Sequence, residues 1–364
     1  MKQIVDTLPA WLDRVDPGAH RRIKGLRLVT AYGLALALAT LNTLTSSVPP
    51  TVPLGMLAAG FALWASVSEA RATRAASSRD LAALCVAAAA GATLYALLCP
   101  WLDTHARVGG EWILISGAFL APWLKRYGVL GAGIGSQLYI GQLLAYGAHL
   151  GPSDLPAIGV AALIAMVAAI VPRVLSGPSE QPALAPPAPV AMPARNGRIT
   201  PEFAMGLQAA AAALVVIALN SAFDLTESAW AITACVYVVT QTAEGTVERV
   251  RRRIVGTLIG VPLGLACLPI AAHAPLAIWV AASVAMIVYA MALPERYDIA
   301  CGAFAFTLIV TLAASGEHSV AFLVARAWET IVGGLLGVVM AWVVLPLKTP
   351  HVAHVRGAVP RESS

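Results

Sequence analysis

Two segments of the chain begin with the same pattern of chemically distinctive residues. Both follow R-x3-T-x2-G-x3-G without a gap, and the matched residues are Arg253, Thr257, Gly260 and Gly264 in one segment and Arg326, Thr330, Gly333 and Gly337 in the other. A guanidinium group binds carboxylates through paired hydrogen bonds, and a threonine hydroxyl can donate or accept one more. The two arginines and the two threonines are therefore candidates for binding an anion.

Glu329 lies three residues after Arg326, a spacing at which the two side chains can pair on one face of a helix. We predict that Arg326 binds a carboxylate and that Glu329 exchanges a proton. Two structural interpretations stay open. The two residues could form a buried ion pair that fixes the register of the helix, or Arg326 could extend to the lipid headgroups.

Three further charged residues are candidates of the same kind. Arg253 closes a run of arginines that could concentrate anions, although such a run is also what membrane topology requires. Glu69 and Glu244 lie near arginines at what the pattern predicts to be equivalent helix ends. Local charge balance is the first explanation for them, and proton coupling is the functional alternative.

The glycines of the two motifs have a structural interpretation. Gly260 and Gly264 share one helix face, as do Gly333 and Gly337, because residues three and four apart stack along a helix. Small residues in such a row let the backbone of a second helix approach closely. We therefore predict that these four glycines are helix-packing positions.

The elements that carry these residues follow from the composition. The 364 residues are 59% hydrophobic and 12% charged, and the mean hydropathy is +0.76. A soluble domain carries about a quarter charged residues, so this chain has too little polar surface for water. Its apolar stretches reach the length of a bilayer-spanning helix and lack the alternation of a membrane strand. The sequence predicts an all-α polytopic membrane protein.

About twelve transmembrane helices are predicted. The apolar segments fall at about 26–45, 52–69, 81–99, 110–124, 127–147, 156–175, 203–223, 228–243, 254–272, 275–293, 298–314 and 322–346. We divide the chain into a cytoplasmic N-terminal segment (1–25), a first six-helix half (26–175), a Pro/Ala-rich cytoplasmic linker (176–200), a second six-helix half (201–346) and a cytoplasmic tail (347–364).

The orientation follows from the basic residues. Lysines and arginines precede the odd-numbered segments and are nearly absent from the alternate loops, a bias that marks the cytoplasmic side. Both termini and the linker are therefore predicted to be cytoplasmic.

The segments also repeat. The halves match in order at four places, which are Asn42 with Asn220, Glu69 with Glu244, Arg79 with Arg253 and Arg126 with Arg296. Six helices is an even number, so the two halves run parallel. The glycine motifs lie three helices apart in the second half, which predicts an inverted three-plus-three repeat, as in many secondary transporters.

At these residues the second half resembles the fusaric acid resistance and aromatic acid exporter families of bacterial inner-membrane proteins. The likeness covers about 200–346 and rests on a Trp230 stretch, on Arg253-x-x-Gly256-Thr257 and on Arg326-x-x-Glu329-Thr330-x-x-Gly333, where Glu329 replaces the family's Asp. Larger members carry a soluble domain between the halves, whereas this chain has only the linker. The resemblance implies export of small, aromatic organic acids, energised by the proton gradient.

Several absences separate the function classes. The sequence has no phosphate-binding G-x-x-x-x-G-K-[ST], no G-x-S-x-G and no metal-binding constellation, and its five cysteines form no C-x-x-C pair. We therefore expect no enzyme activity, no catalytic residues, no metal and no cofactor. The basic balance reflects topology, so nucleic acid is not an expected partner.

The expected partners are an organic acid, protons and the lipid bilayer, with a second copy of the chain or a periplasmic adaptor as candidate protein partners. The leading interpretation is a multi-pass transporter of the bacterial inner membrane. Two alternatives stay open: a membrane scaffold of an envelope complex, with the linker and basic tails as docking segments, and a passive channel.

Overall fold

The computed structural model describes residues 14, 16–41, 52–71, 73–106, 108–176, 200–225, 228–293, 295–314 and 320–346. The predicted linker and tail, and most of the predicted N-terminal segment, lie outside these residues. The side chain of Arg326 also lies outside the described part of the chain, so the structure does not test its predicted pairing with Glu329.

The described residues form helices and no strands. The helices of the first half are α1 (His20–Ala39), α2 (Leu54–Ser68), α3 (Arg74–Asp103), α4 (Gly109–Trp123), α5 (Gly128–Gly147) and α6 (Leu155–Leu175). Those of the second half are α7 (Pro201–Phe223), α8 (Ser228–Val238), α9 (Ala243–Ala266), α10 (Leu268–His273), α11 (Pro275–Ala292), α12 (Tyr297–Ala314) and α13 (Val320–Val343). Each predicted apolar segment overlaps one of these helices.

In the described part of the chain, four stretches of helix are long and apolar enough to cross a bilayer, and they are Arg74–Asp103, Pro152–Leu175, Pro201–Phe223 and Ala243–Ile270. Shorter apolar helices surround them, α2 and α8 among them. In lipid, helical segments of this kind satisfy their backbone hydrogen bonds internally. The chain is a helical membrane protein, as its composition predicts.

The boundary between α8 and α9 differs from the prediction. α8 ends at Val238, and α9 begins at Ala243 instead of 254. The side chain of Thr242 accepts a hydrogen bond from the Gly245 backbone N–H at 3.1 Å and caps α9 at its N-terminus. The arginine run therefore lies within a helix, where hydropathy alone placed a loop.

This boundary corrects one comparison between the halves. Glu69 is the C-terminal cap residue of α2 and is buried, whereas Glu244 lies in the first turn of α9 and is exposed. The two glutamates therefore do not occupy equivalent helix ends. The difference arises because Thr242 starts a new helix before Glu244.

Corresponding helices of the two halves pack in the same pairs. α3 packs on α5 and α2 on α6 in the first half, and α9 packs on α12 and α8 on α13 in the second. Between the halves, α4 packs on α7 and α1 on α11. These reciprocal pairs are the contacts that a duplicated six-helix unit predicts.

The glycines of α9 lie against α12. A Cβ atom on Gly260 would overlap the carbonyl oxygen of Gly302, and one on Gly264 would lie 2.7 Å from Cβ of Ile309. The two helix backbones are therefore in direct contact, which only residues without a side chain permit.

The glycines of α13 make the equivalent contact with α8. A Cβ atom on Gly333 would overlap the carbonyl oxygen of Ala231, and one on Gly337 would lie 2.6 Å from Cγ2 of Val238. The partner residues on α8 are seven apart, as are those on α12. In an inverted repeat of three helices, α8 corresponds to α12 and α9 corresponds to α13. The repeat therefore predicts that the contact of α9 with α12 recurs as a contact of α13 with α8.

Candidate functional site

The first turns of α9 form a charged face in which most arginines have a partner. Glu248 pairs with Arg251 at 2.9 Å and with Arg252 at 2.7 Å. The Arg249 guanidinium lies 4.7 Å from the centre of the Tyr297 ring. Arg249, Arg251 and Arg252 therefore each have a partner. Arg253, which follows Arg252 directly, differs from them.

Arg253 forms no ion pair within the described residues. Its Nη1 donates a long hydrogen bond of 3.4 Å to the hydroxyl of Tyr297, and its Nε is buried without an acceptor there. Tyr289 and Cys301 also lie in the surroundings of the guanidinium. A partly buried cation without a carboxylate is costly in a membrane, which makes Arg253 a candidate for binding an anion.

Tyrosines from two other helices surround the same arginine. Tyr139 of α5 is fully buried and shares a hydrogen bond of 2.7 Å with Thr233, and Tyr237 of α8 shares one of 2.8 Å with Ser136. Both tyrosines lie near enough to Arg253 to belong to its surroundings. The site therefore lies between α5 of the first half and α8, α9 and α12 of the second.

An aromatic cluster adjoins this site through Tyr289. Trp64 of α2 meets Phe304 of α12 edge-on at 5.5 Å between ring centres, and Tyr289 of α11 lies 6.5 Å from Trp64 and 6.2 Å from Phe304. Aromatic rings favour such edge-to-face contacts with one another and with an incoming ring. Tyr289 thus belongs both to the aromatic cluster and to the surroundings of Arg253.

The predicted residues of the second motif lie close to the first. Val250 of α9 lies 3.1 Å from a Cβ atom placed on Gly334 of α13, so the two helices cross within about a turn of Arg253 and Glu329. Thr257, Thr330 and Glu329 are all buried. The structure thus brings both motif starts to one region of the second half.

Glu69 belongs to a different cluster. Its carboxylate accepts a hydrogen bond of 2.5 Å from the Arg71 backbone, and Lys24 donates one of 2.8 Å to its carbonyl oxygen. Glu69 and Lys24, together with Arg27 and Arg173, line a small cavity of about 10 Å³. Glu69 has close cationic neighbours, and Glu244 is exposed; proton coupling by either stays a prediction.

One buried carboxylate was missed by the sequence patterns. Glu111, at the start of α4, is 2% exposed and receives hydrogen bonds from Tyr146 of α5 and from Asn220 and Ser228 of the second half. The available signal was an acidic residue one position inside a predicted apolar segment, which is rare without a function. It belongs to no repeat and so escaped a search based on repeats.

The comparisons with known proteins bear on the second half. The family model for fusaric acid resistance protein-like sequences matches residues 211–340. Comparison with curated proteins and with solved structures gave no match. The matched span includes Arg253, Thr257, Glu329 and the glycines of both motifs, and it indicates a membrane transport protein of the efflux type. The resemblance is confirmed for this part of the chain: residues 211–340 form a fusaric acid resistance protein-like region.

Proposed function

We propose that this protein is an inner-membrane secondary transporter that exports small aromatic organic acids and is driven by the proton gradient. The observation that carries the proposal is Arg253, a partly buried cation that has no carboxylate partner within the described residues. A carboxylate substrate would supply the missing charge and could bind the guanidinium through two parallel hydrogen bonds.

The existing contact of Arg253 is weak enough to be replaced. At 3.4 Å, the bond to the Tyr297 hydroxyl is near the limit for hydrogen bonding, whereas an arginine–carboxylate pair is shorter and charge-assisted. The tyrosine hydroxyls nearby can donate further bonds to the same substrate. Exchange of a phenol for a carboxylate therefore favours binding.

The aromatic cluster supports the substrate class. Trp64, Tyr289 and Phe304 provide ring surfaces that adjoin the cation through Tyr289, and a benzoate-like molecule with a ring and a carboxylate requires both features. An edge-to-face contact between rings contributes about 1 kcal/mol beyond the burial of apolar area. An aliphatic acid would gain the charge interaction with Arg253 but not the ring–ring contact.

The membrane arrangement belongs to the same proposal. About twelve helices would cross the bacterial inner membrane as two parallel sixes, with the termini and the linker in the cytoplasm. The exposed arginines at the start of α9 would then face the cytoplasm, where they would raise the local concentration of anions before export. We propose no enzymatic step, so the substrate would leave unchanged.

Transport in proteoliposomes tests this function. With purified protein and an imposed pH gradient, we expect uphill movement of a benzoate-type acid, and we expect a protonophore to reduce it to the level of empty vesicles. A passive channel would keep equilibrating the acid after the gradient is collapsed. A scaffold would move no acid in either condition, and that result would overturn the proposal.

Replacement of Phe304 by leucine should change the substrate preference. Because the ring contact is worth about 1 kcal/mol, the KM for benzoate should rise roughly fivefold, while that for cyclohexanecarboxylate should stay within a factor of two. Phe203→Leu is the matched control, since Phe203 forms an edge-on pair with Phe119 in a different contact. Equal changes for both acids would contradict a role of Phe304 in recognising the ring.

A further inference from the structure

Glu111 has two carboxylate oxygens in different surroundings. Its Oε1 accepts hydrogen bonds from Asn220 Nδ2 at 2.7 Å, from the Tyr146 hydroxyl at 3.2 Å and from the Ser228 hydroxyl. Its Oε2 is buried and accepts no hydrogen bond from the described residues. One oxygen thus has three donors, and the other is buried without a donor among the described residues.

A cavity of about 350 Å³ adjoins this carboxylate. It is lined by Tyr95, Cys99, Asp103, Val108, Gly110, Glu111, Tyr146, His149 and Asn220. These residues come from the last turns of α3, α5 and α7 and from the start of α4, so the cavity lies at one end of the bundle. In the proposed orientation, this end faces the outside of the cell.

The groups that face Glu111 supply no permanent cation. Helix α3 contributes Tyr95, Cys99 and Asp103, α5 contributes Tyr146, and the turn after α5 contributes His149. Asn220 of α7 and Ser228 of α8 are uncharged. Asp103 is exposed and accepts hydrogen bonds from Cys99 and the Gly110 backbone. Arg107, in the loop before α4, lies outside the described residues. An ionised Glu111 is therefore buried without a described counter-charge.

We propose that Glu111 is a proton-binding site that is loaded through this cavity from the outer side of the membrane. A proton on Oε2 neutralises the carboxyl group and leaves Oε1 as the acceptor of its three hydrogen bonds. This inference rests on the proposed proton-driven transport and names the residue that carries the proton.

The position of Glu111 explains how its charge can act on the whole molecule. It belongs to α4 of the first half, and two of its donors belong to α7 and α8 of the second. Hydrogen bonds to an ionised carboxylate are about twice as strong as those to a neutral one. Loss of the proton therefore strengthens the link between the halves, and its gain weakens that link.

The variant Glu111→Gln separates coupling from transport. In proteoliposomes, the rate of acid transport driven by the pH gradient should fall at least tenfold. Substrate exchange without a gradient should remain measurable, since exchange requires no net proton movement. Glu202→Gln is the matched control, because it removes a carboxylate from the first turn of α7, outside this cavity, and should keep driven transport within twofold. Glu111→Asp, which keeps the acid, should retain part of the coupling and guards against misfolding of the amide variant.

Three outcomes would overturn the proton site. Driven transport by Glu111→Gln at the wild-type level excludes a coupling role, and an equal loss of driven transport and exchange indicates a structural one. Replacing sodium by choline in the wild type identifies a metal-cation site if the driven component then disappears.

A spectroscopic readout keeps this inference distinct from the proposed function. The purified protein should show an infrared carboxylic-acid band that changes with pH and is missing in Glu111→Gln. If the wild type transports nothing, this band still reports whether Glu111 takes up a proton, and a band unaffected by the variant would overturn the site. If the protein transports no acid but shows the band, the result contradicts the proposed function and leaves the proton site supported.

Discussion

The variant Arg253→Gln should reduce kcat/KM for a benzoate-type acid about 100-fold in proteoliposomes. Truncating one partner of a partly buried charge pair costs about 3 kcal/mol, which corresponds to this factor. Arg253→Lys should reduce kcat/KM about tenfold, because a lysine keeps the charge but cannot form the two parallel hydrogen bonds of a guanidinium. Initial rates of uptake into vesicles, at matched amounts of reconstituted protein, measure both effects.

Arg251→Gln is the matched control for this prediction. It removes the same charge from the same helix, but the Arg251 side chain is 72% exposed and, among the described residues, pairs only with Glu248. An exposed pair contributes less than about 1 kcal/mol, so transport should stay within about twofold of wild type. If Arg253→Gln and Arg251→Gln behaved alike, the arginine run would act only through its total charge and the site would be elsewhere.

Gly333→Ala should destabilise the folded protein more than a methyl group added at any other position of the second motif. The new Cβ would overlap the carbonyl oxygen of Ala231, so α13 would have to move away from α8 along the whole contact. Such overpacking costs about 3 kcal/mol. Gly260→Ala should behave similarly through Gly302, and thermal unfolding in detergent measures the loss as a lower Tm for each variant.

Gly33→Ala is the control for these glycines. Gly33 lies in α1, and a Cβ there meets no atom within 4 Å. Alanine favours a helix over glycine by about 1 kcal/mol, so this variant should leave the Tm unchanged or raise it. Equal melting temperatures for Gly333→Ala and Gly33→Ala would show that the close backbone contact does not contribute to stability.

Hydropathy and spacing predicted the helices because lipid enforces long apolar runs and because glycines at intervals of three and four have one dominant use. The start of α9 was wrong because the Thr242 cap and a charged amphipathic turn have no hydropathy signal. Helix existence thus followed from composition, while this boundary depended on one side-chain hydrogen bond.

The site could be predicted only in part. Arg253 and Glu329 stood out as charges in an apolar context, but the tyrosines around Arg253 look like ordinary hydrophobic residues in the sequence. Glu111 meets Asn220 and Ser228, which lie 109 and 117 residues away along the chain. Such convergence depends on the rotation and pairing of helices, which no local pattern determines.

The glycine contacts have a mechanical consequence. Backbone-to-backbone contact fixes α9 to α12 and α13 to α8, so each pair can move only as a rigid body. The two pairs meet through side chains, where α9 crosses α13 at Val250 and Gly334, and such a surface can slide. Arg253 and Tyr297 move with the first pair and Tyr237 with the second. A rocking motion of one pair against the other would therefore open and close the space around the guanidinium, which is the requirement for alternating access.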